Sequence, residues 1–326
     1  MNLPFDSHNR LFELARSGKR LPHLLVAILL SVMFVLVAGI VGGIAALTII
    51  LFLSIMNGQI TPAELSQPGN QATLTHMLMP DTAVEQVILL VLSFAPIFLL
   101  LWAWLTLVEK RPLWTLGLER RGLGQKYLRG LVVGLLMFAA SVGLPAALGY
   151  MVVENDTLQP QGLAALGGVL LVFLGWAVQG PAEEALTRGW LLPVIGARYK
   201  PWLGVVISSL VFAVFHSLNP HLSPIAVFNL FLFGVFTCLY ALYEGGLWGV
   251  FGIHAVWNWA EGNVFGLAVS GGGAPGGTLF NLMEVGPDTI TGGSFGPEGG
   301  LAVTVVLLIG CVIVWNLSQR RPAESP

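Results

Sequence analysis

From Leu21 to Met56 the chain runs without one Asp, Glu, Lys or Arg. A helix of that length reaches about 54 Å, well beyond the ~30 Å hydrocarbon core of a bilayer. Further apolar stretches follow at about 86–108, 128–153, 161–192, 201–217, 223–243, 246–266 and 300–317. A backbone in lipid must satisfy its own hydrogen bonds, so runs of this kind fold as helices. With 55% hydrophobic and 10% charged residues and a mean hydropathy of +0.80, the expected fold is all-α: a polytopic membrane helical bundle. Basic residues precede 21–56 as in a secretory signal, but that run is far longer than a signal core and is expected to be retained. It must tilt, protrude or break at Gly42-Gly43.

The cations decide how often the chain crosses. Arg10, Arg16, Lys19 and Arg20 precede the first run, and Lys110, Arg111, Arg120, Arg121, Lys126 and Arg129 lie between the second and third. Arg188, Arg198 and Lys200 surround the fourth connection, and Arg320 and Arg321 follow the last run. With eight single crossings all 15 fall on one side, whereas the opposite loops, 57–85, 154–160, 217–222 and 267–299, hold Asp and Glu but no Lys or Arg. Splitting 21–56 into two crossings would put the first cluster on the wrong face. The positive-inside rule therefore predicts about eight transmembrane helices with both termini cytoplasmic.

The expected organisation is a cytoplasmic N-terminal tail over 1–20, a single transmembrane domain over 21–320, and a cytoplasmic tail over 321–326. The outer loop 267–299 is Gly-rich and reads as a flexible lid or an unstructured connector. Trp102, Trp104, Trp114, Trp190 and Trp202 read as anchors at the inner interface. Cys238 and Cys311 both sit in apolar runs, which favours reduced, packed thiols over a disulfide or metal framework. A net charge of −2 with no basic tail gives no support for a nucleic-acid partner; membrane lipid is the expected surroundings.

Against this background one stretch stands out: Gln179-Gly180-Pro181-Ala182-Glu183-Glu184-Ala185-Leu186-Thr187-Arg188. Ionisable groups at membrane depth cost about 2.5–3.5 kcal/mol each on insertion scales, so they default to a partner or a function. Glu184 and Arg188 are four apart, in the favourable order for a helical ion pair. Glu183 is turned about 100° away, so the two carboxylates should not share that arginine. Glu184 with Arg188 would brace, and Glu183 would be free to act. Pro181 is expected to break the helix locally, a feature tolerated where a membrane helix lines a wet site.

Few other strongly polar side chains lie within the apolar runs. His216 ends the fifth, and His254 and Asn258 share one face of the seventh, with Glu261 near the same stripe. Glu261 is expected to pack or line a rim. Counting residues puts Glu183 and His254 about 10–13 Å from the cytoplasmic side, which suggests substrate entry from there or laterally from the bilayer. His216 counts out closer to the opposite face.

Glu183-Glu184-Ala-Leu-Thr-Arg188, Phe212-Ala-Val-Phe-His216 and His254-Ala-Val-Trp-Asn258, in this order on separate spans, resemble the CAAX-protease and bacteriocin-processing family (Abi, or type II CAAX prenyl endopeptidases). Arg111-Pro-Leu-Trp-Thr-Leu-Gly-Leu118 is similar to a segment found upstream in that family, and the family-like core would cover about 128–266. The resemblance implies an intramembrane glutamic endopeptidase. Glu183 and His216 would activate water, His254 and Asn258 would form the oxyanion hole, and Glu184 and Arg188 would support the site, with no cofactor. The substrate would be a peptide or protein, with prenylated, membrane-anchored and unprenylated forms all open. A prokaryotic cell membrane is the expected location.

The chemistry agrees on its own terms. No Gly-x-Ser-x-Gly, Ser-Lys or His-Glu-x-x-His arrangement appears, which makes water the candidate nucleophile. A carboxylate desolvated among apolar helices is a better base near neutrality, and amide or imidazole N–H groups suit an oxyanion. Two alternatives stand beside this reading. Glu183, His216 and His254 form a His₂Glu set of the kind that holds catalytic zinc with an open position. A non-catalytic immunity, scaffold or transport protein would also carry buried Glu and His.

Overall fold

The computed structural model describes residues 6–61, 79–154 and 159–320; the 321–326 tail lies outside them. In chain order the elements are α1 (Arg10–Arg16), α2 (Leu24–Met56), α3 (Ala83–Trp104), α4 (Leu123–Ala147), β1 (Met151–Val153), α5 (Leu166–Glu184) and α6 (Leu192–Arg198). They continue with α7 (Pro201–Phe215), α8 (Pro224–Glu244), α9 (Trp248–Trp259), β2 (Leu282–Glu284), α10 (Asp288–Thr291) and α11 (Leu301–Gln319). Wide π-helical turns extend α3 through Leu105–Glu109, join α5 to α6 through Ala185–Leu191, and extend α9 through Ala260–Val264.

Among the described residues six helical stretches are long and apolar enough to cross a membrane: Leu24–Met56, Ala83–Glu109, Leu123–Ala147, Gly162–Arg198, Pro224–Glu244 and Leu301–Gln319. The chain is an all-helical integral membrane protein. The other two expected spans are shorter, α7 with 15 residues and α9 with 12 before its π-turn. Local signals set several boundaries. Thr82 and Glu85 cap α3 reciprocally, side chain to backbone N–H in both directions. Pro201 and Pro224 sit in the first turn of α7 and α8, where their missing N–H costs nothing. Gly245 closes α8 at φ +69°, a conformation that favours glycine.

Glycines bring the central helices together. A Cβ at Gly130 of α4 would stand 2.1 Å from the Gly249 carbonyl oxygen, and one at Gly252 of α9 would stand 2.4 Å from the Tyr127 oxygen. This is the small-residue packing by which membrane helices approach without a hydrophobic driving force between them. It carries α9 into the centre of the bundle, where it also packs on α5. Gly42 does similar work, with the Leu92 backbone pressed against it. Of the three alternatives for this run, a break at Gly42-Gly43 does not occur: α2 is one helix throughout, and this glycine serves packing.

Two further segments are ordered. Residues 10–16 of the N-terminal segment are a docked helix: Leu11, Phe12, Leu14 and Ala15 are buried, and Asn9 both caps α1 and donates to the Leu242 carbonyl at 2.8 Å. The Gly-rich loop 267–299 is folded. Its β2 pairs antiparallel with β1, and buried asparagines of the bundle hold the rest. Asn263 donates to the carbonyls of Ala274, Pro275 and Gly277, and Asn229 donates to those of Glu298 and Gly300. Glycine supplies the chain reversals and helix side chains supply the hydrogen bonds, so composition alone misreads the loop as loose.

Within this loop burial pushes the Glu284 carboxyl up to about 7, against the Thr291 hydroxyl and the Gly293 N–H and with the help of Asp288. Its ordinary value is 4.5, so between about 4.5 and 7 the folded loop binds more protons than the unfolded chain. Stability from this group is therefore full below about 4.5 and falls as pH rises towards 7. Hydrogen exchange over 282–293, corrected for intrinsic rates, should show weaker protection at pH 8 than at pH 5.5, and Glu284→Gln should flatten that difference. An unchanged slope in the variant would assign the effect to another group.

Candidate active site

Three helices deliver the polar residues to one place. At the end of α5 the helix widens into the π-turn Ala185–Leu191, all of it buried. Such turns insert an extra residue and cluster at functional sites. Glu184 and Arg188 are wholly buried and paired, Oε1 to the Arg188 guanidinium at 3.2 Å. The same Oε1 lies 2.8 Å from Nδ1 of His254 on α9. A carboxylate held by an arginine accepts, so Nδ1–H donates and the His254 ring is fixed edge-on. Helical phase anticipates the ion pair, whereas the contact with His254 depends on how α5 meets α9. Gly180 makes that meeting possible: a Cβ there would stand 3.0 Å from His254 Cγ and 3.0 Å from the Ala255 nitrogen. The local break expected at Pro181 is absent: α5 runs through it to Glu184, and the helix widens only at Ala185–Leu191.

Glu183 faces the other way, as its phase requires. Its Oε1 accepts from Gln179 Nε2 at 2.8 Å, while Oε2 has no hydrogen-bond partner and stands 3.7 Å from His254 Nε2. That separation is too long for a direct hydrogen bond, and a water seated off the line between them can reach both. Gln179 also accepts from Asn258 Nδ2 at 2.8 Å. One glutamine thus ties the carboxylate to the asparagine. Gln179 stands one turn before Glu183 on the same face, a polar residue in an apolar run, and that periodicity is the signal by which the sequence could have singled it out.

His216 closes α7, and its Nδ1 lies 2.9 Å from the Phe212 carbonyl. A carbonyl only accepts, so Nδ1–H donates and Nε2 is left for the site. Residue counting puts this histidine too far out. In the structure it lines one cavity of about 260 Å³ together with Glu183, His254 and Asn258. The reason is length: 15 residues rise about 22 Å, short of the ~30 Å core, so the end of α7 stops at the level of the site. Phe212 knits the set together, with the Arg188 guanidinium 4.4 Å over its ring and both His216 and His254 against it.

The cavity lies towards the end of the bundle without Lys or Arg. Asn219, Val269, Ser270 and Glu298 line it, and all four belong to the connections there. Entry from the basic end is not what this arrangement favours. Ser270 and Glu298 come from the loop 267–299, outside every motif, and no spacing in the sequence points to them. Glu261, expected at a rim or in packing, is fully buried on the π-turn after α9, and both its carboxylate oxygens lack hydrogen-bond partners. It does not line the cavity.

At the opposite end a second buried ion pair anchors the π-turn. Glu109 accepts from Arg111 Nε at 2.7 Å, Trp104 Nε1 at 2.8 Å and Trp190 Nε1 at 2.7 Å. Trp190, expected as an interface anchor, is therefore a buried strut, whereas Trp102, Trp114 and Trp202 are about half exposed. As for metal, both histidines turn Nδ1 to an acceptor, the outer-sphere arrangement usual for zinc ligands. Among the described residues, however, no three His, Cys, Asp or Glu side chains are placed to hold an ion.

Residues 165–260 match the family model for Rce1-like type II CAAX prenyl endopeptidases. The match includes Gln179, Glu183, Glu184, Arg188, Phe212, His216, His254 and Asn258, and excludes Glu261, Ser270 and Glu298. An Escherichia coli protein described as "Uncharacterized 24.3 kDa protein" is 32% identical over 136 residues, which cover 40% of this chain and 58% of that protein. The chain thus spans less than two thirds of this relative's length. No solved structure gives a significant match.

Removing one member of a buried ion pair leaves the other charge uncompensated and costs about 3–5 kcal/mol, while replacing both can be nearly neutral. Arg188→Ala should therefore lower the unfolding midpoint in detergent sharply, and Glu184→Gln/Arg188→Met should recover much of the loss. A stable, well-expressed Arg188→Ala would contradict the bracing role.

Proposed function

We propose that this protein is a membrane-embedded endopeptidase of the type II CAAX prenyl endopeptidase kind, which hydrolyses a peptide bond with water activated by Glu183 and His216. The observation that carries the reading is the free Oε2 of Glu183 in a cavity shared with His216, His254 and Asn258, inside the segment that matches the family. Glu183 takes a proton from the water as it attacks the scissile carbonyl, and His216, its lone pair on Nε2, orients that water. The retained proton then passes to the leaving amine.

His254 and Asn258 stabilise the oxyanion. Asn258 has an amide N–H to offer once substrate competes with Gln179 for it. His254 donates from Nε2 when the ring carries both protons. Groups held in place before the charge develops contribute most to lowering the barrier. Glu184 and Arg188 act through His254 and are positioning residues. In the membrane the chain crosses eight times with both termini cytoplasmic, and a prokaryotic cell membrane is its location. The substrate is a peptide or protein segment at the membrane, prenylated or not.

Purified protein in nanodiscs, given a panel of prenylated and unprenylated membrane-proximal peptides, tests this. General acid–base groups contribute about 10²–10⁴-fold and single oxyanion donors about 10²–10³-fold. Glu183→Gln should lose at least ~10³-fold in kcat and Asn258→Ala ~10²-fold, within those ranges. Full activity after chelation, with metal content measured, would dismiss a zinc reading of Glu183, His216 and His254. Equal cleavage by wild type and Glu183→Gln would overturn the assignment of the base.

A further inference from the structure

The cavity holds a second carboxylate that the reaction above does not use. Glu298 is 9% exposed and lines the cavity on the loop side. Its Oε1 accepts from Trp257 Nε1 at 3.1 Å, and its Oε2 is closely bonded by the Ser270 hydroxyl. The backbone holds it equally firmly, since its carbonyl accepts from Asn229 at 2.8 Å. Ser270 itself sits at φ +46°, a left-handed conformation that costs a non-glycine residue about 1–3 kcal/mol and persists only where its surroundings enforce it. Here the two-residue turn Ser270-Gly271, closed by mutual backbone bonds between Val269 and Gly272, enforces it, and Asn219 donates to the Ser270 carbonyl at 2.9 Å.

No ion pair forms on this carboxylate among the described residues. No lysine or arginine lines the cavity, and Arg188 is enclosed behind Glu184 and Phe212. The connections at this end carry Asp and Glu but no Lys or Arg. Carboxylates in a low-dielectric cleft focus their field and attract cations. Apart from Asn219, Ser270 and the polar residues used in the proposed reaction, the wall is apolar, with Leu90 and Phe94 among it.

We propose that Glu298, presented by Ser270, is a specificity-determining residue that receives a lysine or arginine side chain of the substrate on the loop side of the scissile bond. The proposal rests on the peptidase reading and adds a substrate class to it: an apolar membrane segment flanked by a basic residue. The same carboxylate disfavours an acidic residue at that position, so attraction and repulsion act together in selection.

Binding and cleavage are measured separately, on full-length protein in nanodiscs. The probes are fluorescent apolar peptides that carry Lys, Ala or Glu, scanned along one flank. At one flank position the Lys peptide should bind at least ~10-fold tighter than its Ala counterpart, the scale of a desolvated charge pair, and the Glu peptide more weakly. Glu298→Gln should bring the Lys-to-Ala ratio close to one. If that variant melts early, Glu298→Asp carries the test, because a shorter carboxylate should reduce the preference and keep its sign. A ratio near one in wild type, or an unchanged ratio in the variants, overturns the proposal. Preferential binding without cleavage would sink the peptidase reading and leave this one standing; cleavage without preference would do the reverse.

Discussion

Everything at the centre of this bundle depends on how one negative charge is kept out of water. Glu184 is wholly buried, and a lone carboxylate there would be prohibitive. Arg188 makes it tolerable, and the Arg188 guanidinium is in turn covered by Phe212. With its charge balanced on one side, Glu184 can hold His254 on the other. The brace and the site are thus one network. It spans three helices because its members sit on α5 with its π-turn, on α7 and on α9. The ion pair at Glu109 and Arg111 fixes the π-turn from its far side through Trp190. Arg111, outside the cavity lining, therefore contributes to the site without touching it.

Much of this network was legible in the sequence because it is local in helical phase. Glu184 and Arg188, His254 and Asn258, and Phe212 and His216 are each four apart, and a helix places such pairs on one face whatever surrounds it. The apolar runs point to the all-helical membrane fold in the same way. What could not be read were contacts between elements. The level of His216 depends on where a short α7 ends, the tie from Gln179 to Asn258 depends on how α5 crosses α9, and Gly180 acquires its meaning only at that crossing. The loop 267–299 shows the limit most clearly. Its glycines look like slack, yet Asn229, Asn263 and Trp257, on helices remote in sequence, fold it down.

The folded loop changes how the cavity is reached. It covers the site at the end of the bundle that lacks cations and adds Ser270 and Glu298 to the cavity wall. Glu183, His216, His254 and Asn258 lie within the family match, while the loop that covers them lies outside it. That placement separates the motif residues from their cover. It also explains why Glu298 could not be found by motif: its role comes from the surface it closes, and no periodicity encodes that.

The account stands on Glu184 holding the Nδ1–H of His254, because that contact joins the buried ion pair to the chemistry. Nitrogen-15 NMR of histidine-labelled protein in nanodiscs, with His254 assigned by its absence in His254→Gln, reads this bond directly and needs no substrate. The His254 Nδ1 resonance should be protonated and hydrogen-bonded in the wild type, and should shift towards the free imidazole position in Glu184→Gln while the His216 resonance stays in place. An unprotonated Nδ1 in the wild type, or a His254 signal unmoved by Glu184→Gln, would contradict it.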